Sequence, residues 1–195
     1  MHTSLFPTQS PITRADRQAL LGQGAFAIWL YGLSGSGKTT IAYHLEQQLF
    51  HEKILVYCLD GDNIRNGLCR DLSFTQADRT ENLRRVAEVV KLFLDAGILC
   101  IASFITPKES DRAMIKEILG SGNVIDVYLQ CSLNTCAQRD VKQLYKMAQN
   151  NRILNFTGVS SLFEPPEQPS LVIDTEHESI EDCVNAVYRH CFHKG

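Results

Sequence analysis

The sequence predicts an α/β fold, a parallel sheet flanked by helices, and three observations carry that prediction. Short aliphatic runs alternate with helical segments along the chain. One such run, Phe26 to Tyr31, passes into a glycine-rich loop and then a helix. A second run ends in acidic residues, where open parallel sheets place their chemistry. The chain has 195 residues, 44% hydrophobic and 21% charged, which suits one domain with a sizeable core.

Residues 1–24 are polar and punctuated by Pro7, Pro11, Gly22 and Gly24. They read as an N-terminal arm with a short helix over Thr13–Leu21, and residues 25–195 read as the domain. After the first strand comes Gly32-Leu33-Ser34-Gly35-Ser36-Gly37-Lys38-Thr39, then Thr40. This is a full match to the phosphate-binding pattern G-x-x-x-x-G-K-[ST]. A chance match in a chain of this size is expected at roughly 1% or less. Thr40–Phe50 carries Ile41, Leu45 and Leu49 at helical spacing, so a phosphate would meet a helix N-terminus and its orphan N–H groups. Lys38 would address the β/γ-phosphates and the Thr39 hydroxyl would ligand Mg²⁺.

Ile54–Leu59 predicts the second strand, turning at Asp60-Gly61-Asp62-Asn63. Asp78–Ala96 is the longest helix signal, with Leu83, Val86, Val90 and Leu94 on one stripe and Gly97 closing it. Ile98–Ser103 predicts the third strand, Glu109–Leu119 a helix, Val124–Leu129 the fourth strand and Leu133–Arg139 a helix. Residues 140–155 are polar and basic without a strong apolar stripe, which predicts a mobile lid. A proline-rich loop, the strand Leu171–Ile173 and a closing helix over Ser179–Phe192 complete the chain.

Net charge is only −3, so no nucleic-acid surface is indicated, and no apolar run approaches a membrane span. The start lacks the basic and apolar regions of a signal peptide. Seven cysteines without a C-x-x-C pair read as reduced thiols in a cytoplasmic protein, most of them core filler. A phosphate loop alone fits kinases, GTPases and motors. No D-x-x-G followed by an N-K-x-D guanine reader is present, and one short domain leaves no room for a motor's extra modules. Asp60 and Asp62 instead lie beside Arg65, Arg70, Arg79, Arg84 and Arg85. Guanidinium forks suit a small phosphate- or sulfate-bearing acceptor.

The stretch Leu59-Asp60-Gly61-Asp62-Asn63-Ile64-Arg65 resembles the signature of adenylylsulfate (APS) kinases. So do Asp78-Arg79 with Glu81-Asn82-Leu83-Arg84-Arg85, Ser103-Phe104-Ile105-Thr106-Pro107, Arg139-Asp140, Leu144-Tyr145-Lys146 and Phe156-Thr157-Gly158. The resemblance runs from about Ala25 to the last helix. It implies a fold like the P-loop nucleoside-monophosphate kinases and transfer of the γ-phosphoryl of MgATP to the 3′-hydroxyl of APS, giving PAPS and ADP. It also implies a homodimer and a possible ATP sulfurylase partner.

Carried over by position, Phe74 and Phe156 would sandwich the APS adenine, and Asp62, Arg65, Arg79 and Asn82 would bind its phosphosulfate and neighbouring groups. Ile105, Thr106, Lys142 and Gly158 would line the acceptor site, while Arg139 and Thr175 would lie near the ATP adenine. Lys38, Asp60 and Asp62 would be catalytic, Thr39 and Asp60 would hold Mg²⁺, and which aspartate acts as base stays open. Two departures stand out. The family's F-I-S-P serine is Thr106, which puts a phospho-enzyme role in doubt, and its P-K-G-L-Y lid motif reads Val141-Lys142-Gln143-Leu144-Tyr145. The alternatives are a kinase of the same fold acting on another nucleotide or small anionic alcohol, and a non-catalytic nucleotide-binding regulator.

Overall fold

A computed structural model describes residues 6, 8, 10–140, 143–150 and 156–192. Its strands are β1 (Ala27–Tyr31), β2 (Val56–Asp60), β3 (Leu99–Ser103), β4 (Val124–Gln130) and β5 (Leu171–Asp174). They form one parallel sheet in the order β2-β3-β1-β4-β5. The helices are α1 (Arg14–Leu21), α2 (Lys38–His51), α3 (Gly61–Asn66), α4 (Gln76–Asp95), α5 (Glu109–Leu119), α6 (Leu133–Arg139), α7 (Leu144–Gln149) and α8 (Ile180–Phe192).

Alternation along the central strand divides the core. Ala27, Trp29 and Tyr31 of β1 face the layer containing α4 and α5. Ile28 and Leu30 face α2 and α8, where Leu45, Leu49, Val184 and Val187 meet them. Each fully buried Ile or Leu contributes about 1.5–3 kcal/mol of transfer free energy. Five of the seven cysteines are buried, as core filler would be. Because all strands run parallel, their C-terminal ends form one rim. Tyr31, Asp60, Ser103, Gln130 and Asp174 open onto it together.

Three sequence expectations need correction. The second strand lies two residues downstream of its predicted start, at 56–60, because Gln23 takes both the N–H and the C=O of Leu55. The acidic turn after it is a helix, α3, started by Asp60 accepting from the Asp62 N–H. Residues 140–155 do contain a packed helix, α7, which buries Tyr145 and Ala148.

The arm is docked on the domain. Thr13 and Asp16 form a reciprocal capping box at the start of α1. Arg17 pairs with Asp95 at 2.8 Å, and Arg14 reaches Asn123 and the Ala25 carbonyl. Edge strand β2 is closed by side chains, since Glu46 accepts the Cys58 N–H at 2.8 Å.

Candidate active site

The donor side is built by β1, the loop at 32–37 and the start of α2. Gly35 has φ +81°, and a Cβ there would stand 2.8 Å from the Cys136 carbonyl oxygen, so α6 packs directly on the loop backbone. Lys38 is buried and its Nζ donates to the Leu33 carbonyl at 2.6 Å, which holds the cation over the loop. Thr39 Oγ1 donates to Asp60 Oδ2 at 2.8 Å, while Asp60 Oδ1 caps α3. On the far side Arg139 donates to the Thr175 carbonyl at 2.6 Å, and the Thr175 N–H donates to the Gln130 carbonyl. Ser36 is fully buried beneath the loop, and its N–H donates to the Leu33 carbonyl.

A second cluster lies across α3 and α4. Arg65 stacks its guanidinium 4.4 Å from the Phe74 ring centroid and donates to the Ser73 carbonyl. Arg79 donates to the Phe74 carbonyl at 3.0 Å and to Thr157 Oγ1 at 2.7 Å. Burial lowers the pKa of both guanidinium groups, and for Arg79 the charge of Arg65 lowers it further. Two half-buried cations that repel each other form a place where an anion is favoured. Asn82 is buried on α4, and its Oδ1 has no hydrogen-bond partner among the described residues. A buried, unpaired carbonyl of that kind is costly unless a ligand or water satisfies it.

The strap after β3 runs beside the phosphate loop. The Ile105 carbonyl accepts the Gly32 N–H at 3.3 Å. Thr106 is 1% exposed, and its hydroxyl accepts from Trp29 Nε1 at 2.9 Å, so it points into the core. That placement does not suit a phosphate acceptor.

Helix α7 leans on the phosphate loop, with the Tyr145 hydroxyl donating to the Ser34 carbonyl at 2.8 Å. Asp140 accepts from the backbone of Tyr145 and Lys146 and so starts α7. Phe156 packs edge-on against Tyr145 and is 7% exposed, whereas Phe74 is 58% exposed. Each ring thus has a protein partner of its own, Tyr145 for Phe156 and the Arg65 guanidinium for Phe74. Gly158 sits between Leu33 and Leu133 at the edge of an open cleft of about 540 Å³. Lys142 lies outside the described residues.

The profile of the adenylylsulphate kinase family matches residues 24–174, more than half the chain. The chain belongs to that family. It is 46% identical to the adenylyl-sulfate kinase of Staphylococcus haemolyticus, over 95% of this chain and 93% of that protein. It is 49% identical to the adenylyl-sulfate kinase of Bacteroides thetaiotaomicron, over 89% and 87% of the two chains. Its fold is similar to that of the Mycobacterium tuberculosis APS kinase in complex with AMPPNP and APS. The TM-score is 0.83 with 36% identity, over 86% of this chain and 98% of the other.

Within this adenylylsulphate kinase, residues that the sequence singled out meet in pairs: Thr39 with Asp60, Arg65 and Arg79 with Phe74, and Arg139 with Thr175. Three contributors to the rim had no role assigned from sequence. Tyr145 belonged to a quoted motif but its bond to Ser34 joins positions 111 residues apart. Glu176 accepts from the Ser132 N–H and from Thr135 Oγ1, which fastens the start of α6 beside the loop. Arg112 is 4% exposed inside α5, where a sequence reading expects a solvated cation. Its carbonyl partners at Thr106 and Glu164, invisible in a sequence, hold it in the interior together with Glu109 and the Tyr31 ring.

Proposed function

We propose that the chain catalyses in-line transfer of the γ-phosphoryl group of ATP to the 3′-hydroxyl of APS, giving PAPS and ADP. The observation that carries it is the joining of two clusters on one rim. The Thr39–Asp60 pair stands beside the phosphate loop, and the Arg65–Phe74–Arg79 cluster follows the helix that Asp60 caps. In this arrangement Gly32–Thr40 cradle the ATP phosphates, and Arg139 and Thr175 address its adenine. Arg65 and Arg79 receive the phosphosulfate, Phe74 stacks on the acceptor base, and Asn82 offers its buried carbonyl oxygen as an acceptor. Gly158, Ile105 and Lys142 complete the wall, and closure around Phe156 brings it toward the base.

A hydroxyl and a carboxylate 2.8 Å apart are hard oxygen donors of the kind Mg²⁺ takes beside substrate phosphates. Thr39 and Asp60 would hold the ion, which offsets charge on the transferring group. Asp60 orients the acceptor hydroxyl, and Asp62, exposed on the first turn of α3, shares that work and takes up its proton. Lys38 stabilises charge as it develops on the phosphoryl oxygens, and the lid excludes water. The same proposal makes the enzyme a cytoplasmic homodimer that draws APS from an ATP sulfurylase. Light scattering of the purified chain checks the dimer.

Coupled measurement of ADP release tests the reaction, with MgATP and APS set against a panel of other nucleotides and small anionic alcohols. Release that depends on APS, with PAPS as product, is the expected result. Equal turnover with other acceptors, or none with APS, would defeat the proposal.

A further inference from the structure

Thr106 has a backbone conformation that its residue type disfavours. Its φ is +43°, in the left-handed region that β-branched residues avoid. Lys53 and Gln143 share the positive sign among the described non-glycine residues, but both are exposed and each sits at a helix end. Thr106 instead is buried in the strap that follows β3, and Pro107 restricts it further. Such a conformation persists only where its surroundings over-determine it.

Two side chains supply that constraint. Trp29 Nε1 donates to the Thr106 hydroxyl. Arg112 donates from Nη1 to the Thr106 carbonyl at 3.1 Å, from Nη2 to the Glu164 carbonyl at 2.9 Å and from Nε to Glu109 Oε2 at 2.9 Å. Its guanidinium carbon also lies 5.3 Å from the centroid of Tyr31, the residue that enters the phosphate loop. The Glu164 N–H in turn donates to the Pro107 carbonyl at 2.8 Å, so the strap is gripped on both sides of its bend. Only a planar fork with several fixed donors reaches three partners in these directions at once.

We propose that Arg112 is a positioning residue for the acceptor. By holding Thr106 in its left-handed bend, it fixes the strap 105–107 against Gly32 of the phosphate loop. The acceptor then meets a surface already formed and does not have to order it on binding. This inference rests on the assignment of the strap to the APS site.

The test crosses Arg112→Lys with Thr106→Gly and measures KM for APS, KM for ATP, kcat and the melting temperature. Arg112→Lys keeps the charge but loses the fork. It should raise KM for APS by about tenfold and leave KM for ATP within about twofold, as expected when a preformed contact surface is lost. Glycine adopts positive φ without strain, so it has less need of the clamp. In the Thr106→Gly background the effect of Arg112→Lys on KM for APS should shrink to about twofold, the coupling expected of contacting residues. An equal APS effect in both backgrounds overturns the proposal, as does a joint rise of both KM values with a fallen melting temperature. If Arg112→Lys does not fold, Glu109→Ala removes the exposed partner of Nε. It should raise KM for APS by about threefold with KM for ATP unchanged, and an unaltered KM for APS would overturn the proposal. Failure of the wild-type enzyme to use APS would sink the reaction itself, whereas these outcomes in an active wild type concern Arg112 alone.

Discussion

Thr39 and Asp60 meet at 2.8 Å across 21 positions of sequence, and Lys38 lies buried beside them. Removing the cation by Lys38→Ala should lower kcat on the order of 10²-fold or more, as loss of a transition-state charge stabiliser does. Steady-state kinetics at saturating ATP check it. The two phenylalanines should part company. Phe156→Ala empties a buried position against Tyr145 and should cost about 3–5 kcal/mol of stability in urea. Phe74→Ala removes an exposed ring and should leave the urea midpoint nearly unchanged while weakening APS use by roughly 5- to 150-fold, the range for about 1–3 kcal/mol of stacking. His177 is held above its ordinary 6.5 by the Asp174 carboxylate, through a hydrogen bond and then charge, and Asp174 is lowered in return. The stability from the imidazole is full below 6.5 and is lost as pH rises through its folded value; that from the carboxylate is full above 3.8 and is lost as pH falls through its own folded value. Following the imidazole by NMR, Asp174→Asn should return His177 to about 6.5. Residues fixed by a local motif, such as Lys38, Thr39 and Asp60, were legible in sequence because the chemistry dictates their spacing. Arg112 and Glu176 were not, because partners such as the Glu164 carbonyl and the Ser132 N–H are brought near only by folding.

At the scale of elements, the long strands and helices followed from hydrophobic period. The short ones did not: α3 has six residues, too few for a period to show, and exists because Asp60 caps it. Helix α7 was hidden among polar residues, and its apolar contacts, Tyr145 and Ala148, find partners far off in sequence, among them Cys131, Cys136 and Leu33. Where the family's lid motif has glycine, this chain has Gln143, and the structure gives it φ +55°. The loss of glycine therefore left the turn in place at the cost of strain, about 1–2 kcal/mol for a left-handed residue. Urea unfolding should find Gln143→Gly no less stable than the wild type, while Gln143→Val, β-branched at positive φ, should lose about 1 kcal/mol or more. Tyr145→Phe should remove about 0.5–1.5 kcal/mol from the contact between α7 and the phosphate loop. Faster hydrogen exchange in α7, with KM for ATP raised more than KM for APS, is the expected signature.

At the scale of the molecule, the parallel sheet was legible because alternating strands and helices leave few other architectures, and the rim of strand ends followed from it. The arm was placed over the domain in sequence but not tied to it. Its contacts to Asp95, Asn123, Leu55 and Gly97 make it part of the fold. Deleting residues 1–23 should remove several hydrogen bonds at about 1 kcal/mol each and lower the urea midpoint, with the unfolding remaining a single transition. It should also uncover the N-terminal end of β2, which Gln23 closes. The protein has a single tryptophan, and Trp29 donates its indole N–H to Thr106 while its ring lies 5.6 Å from Phe104. All indole emission of the protein therefore originates under the strap, from a chromophore 1% exposed to water. Intrinsic fluorescence is thus a built-in optical gauge of that one bend, and titrating either substrate will read its state without a label.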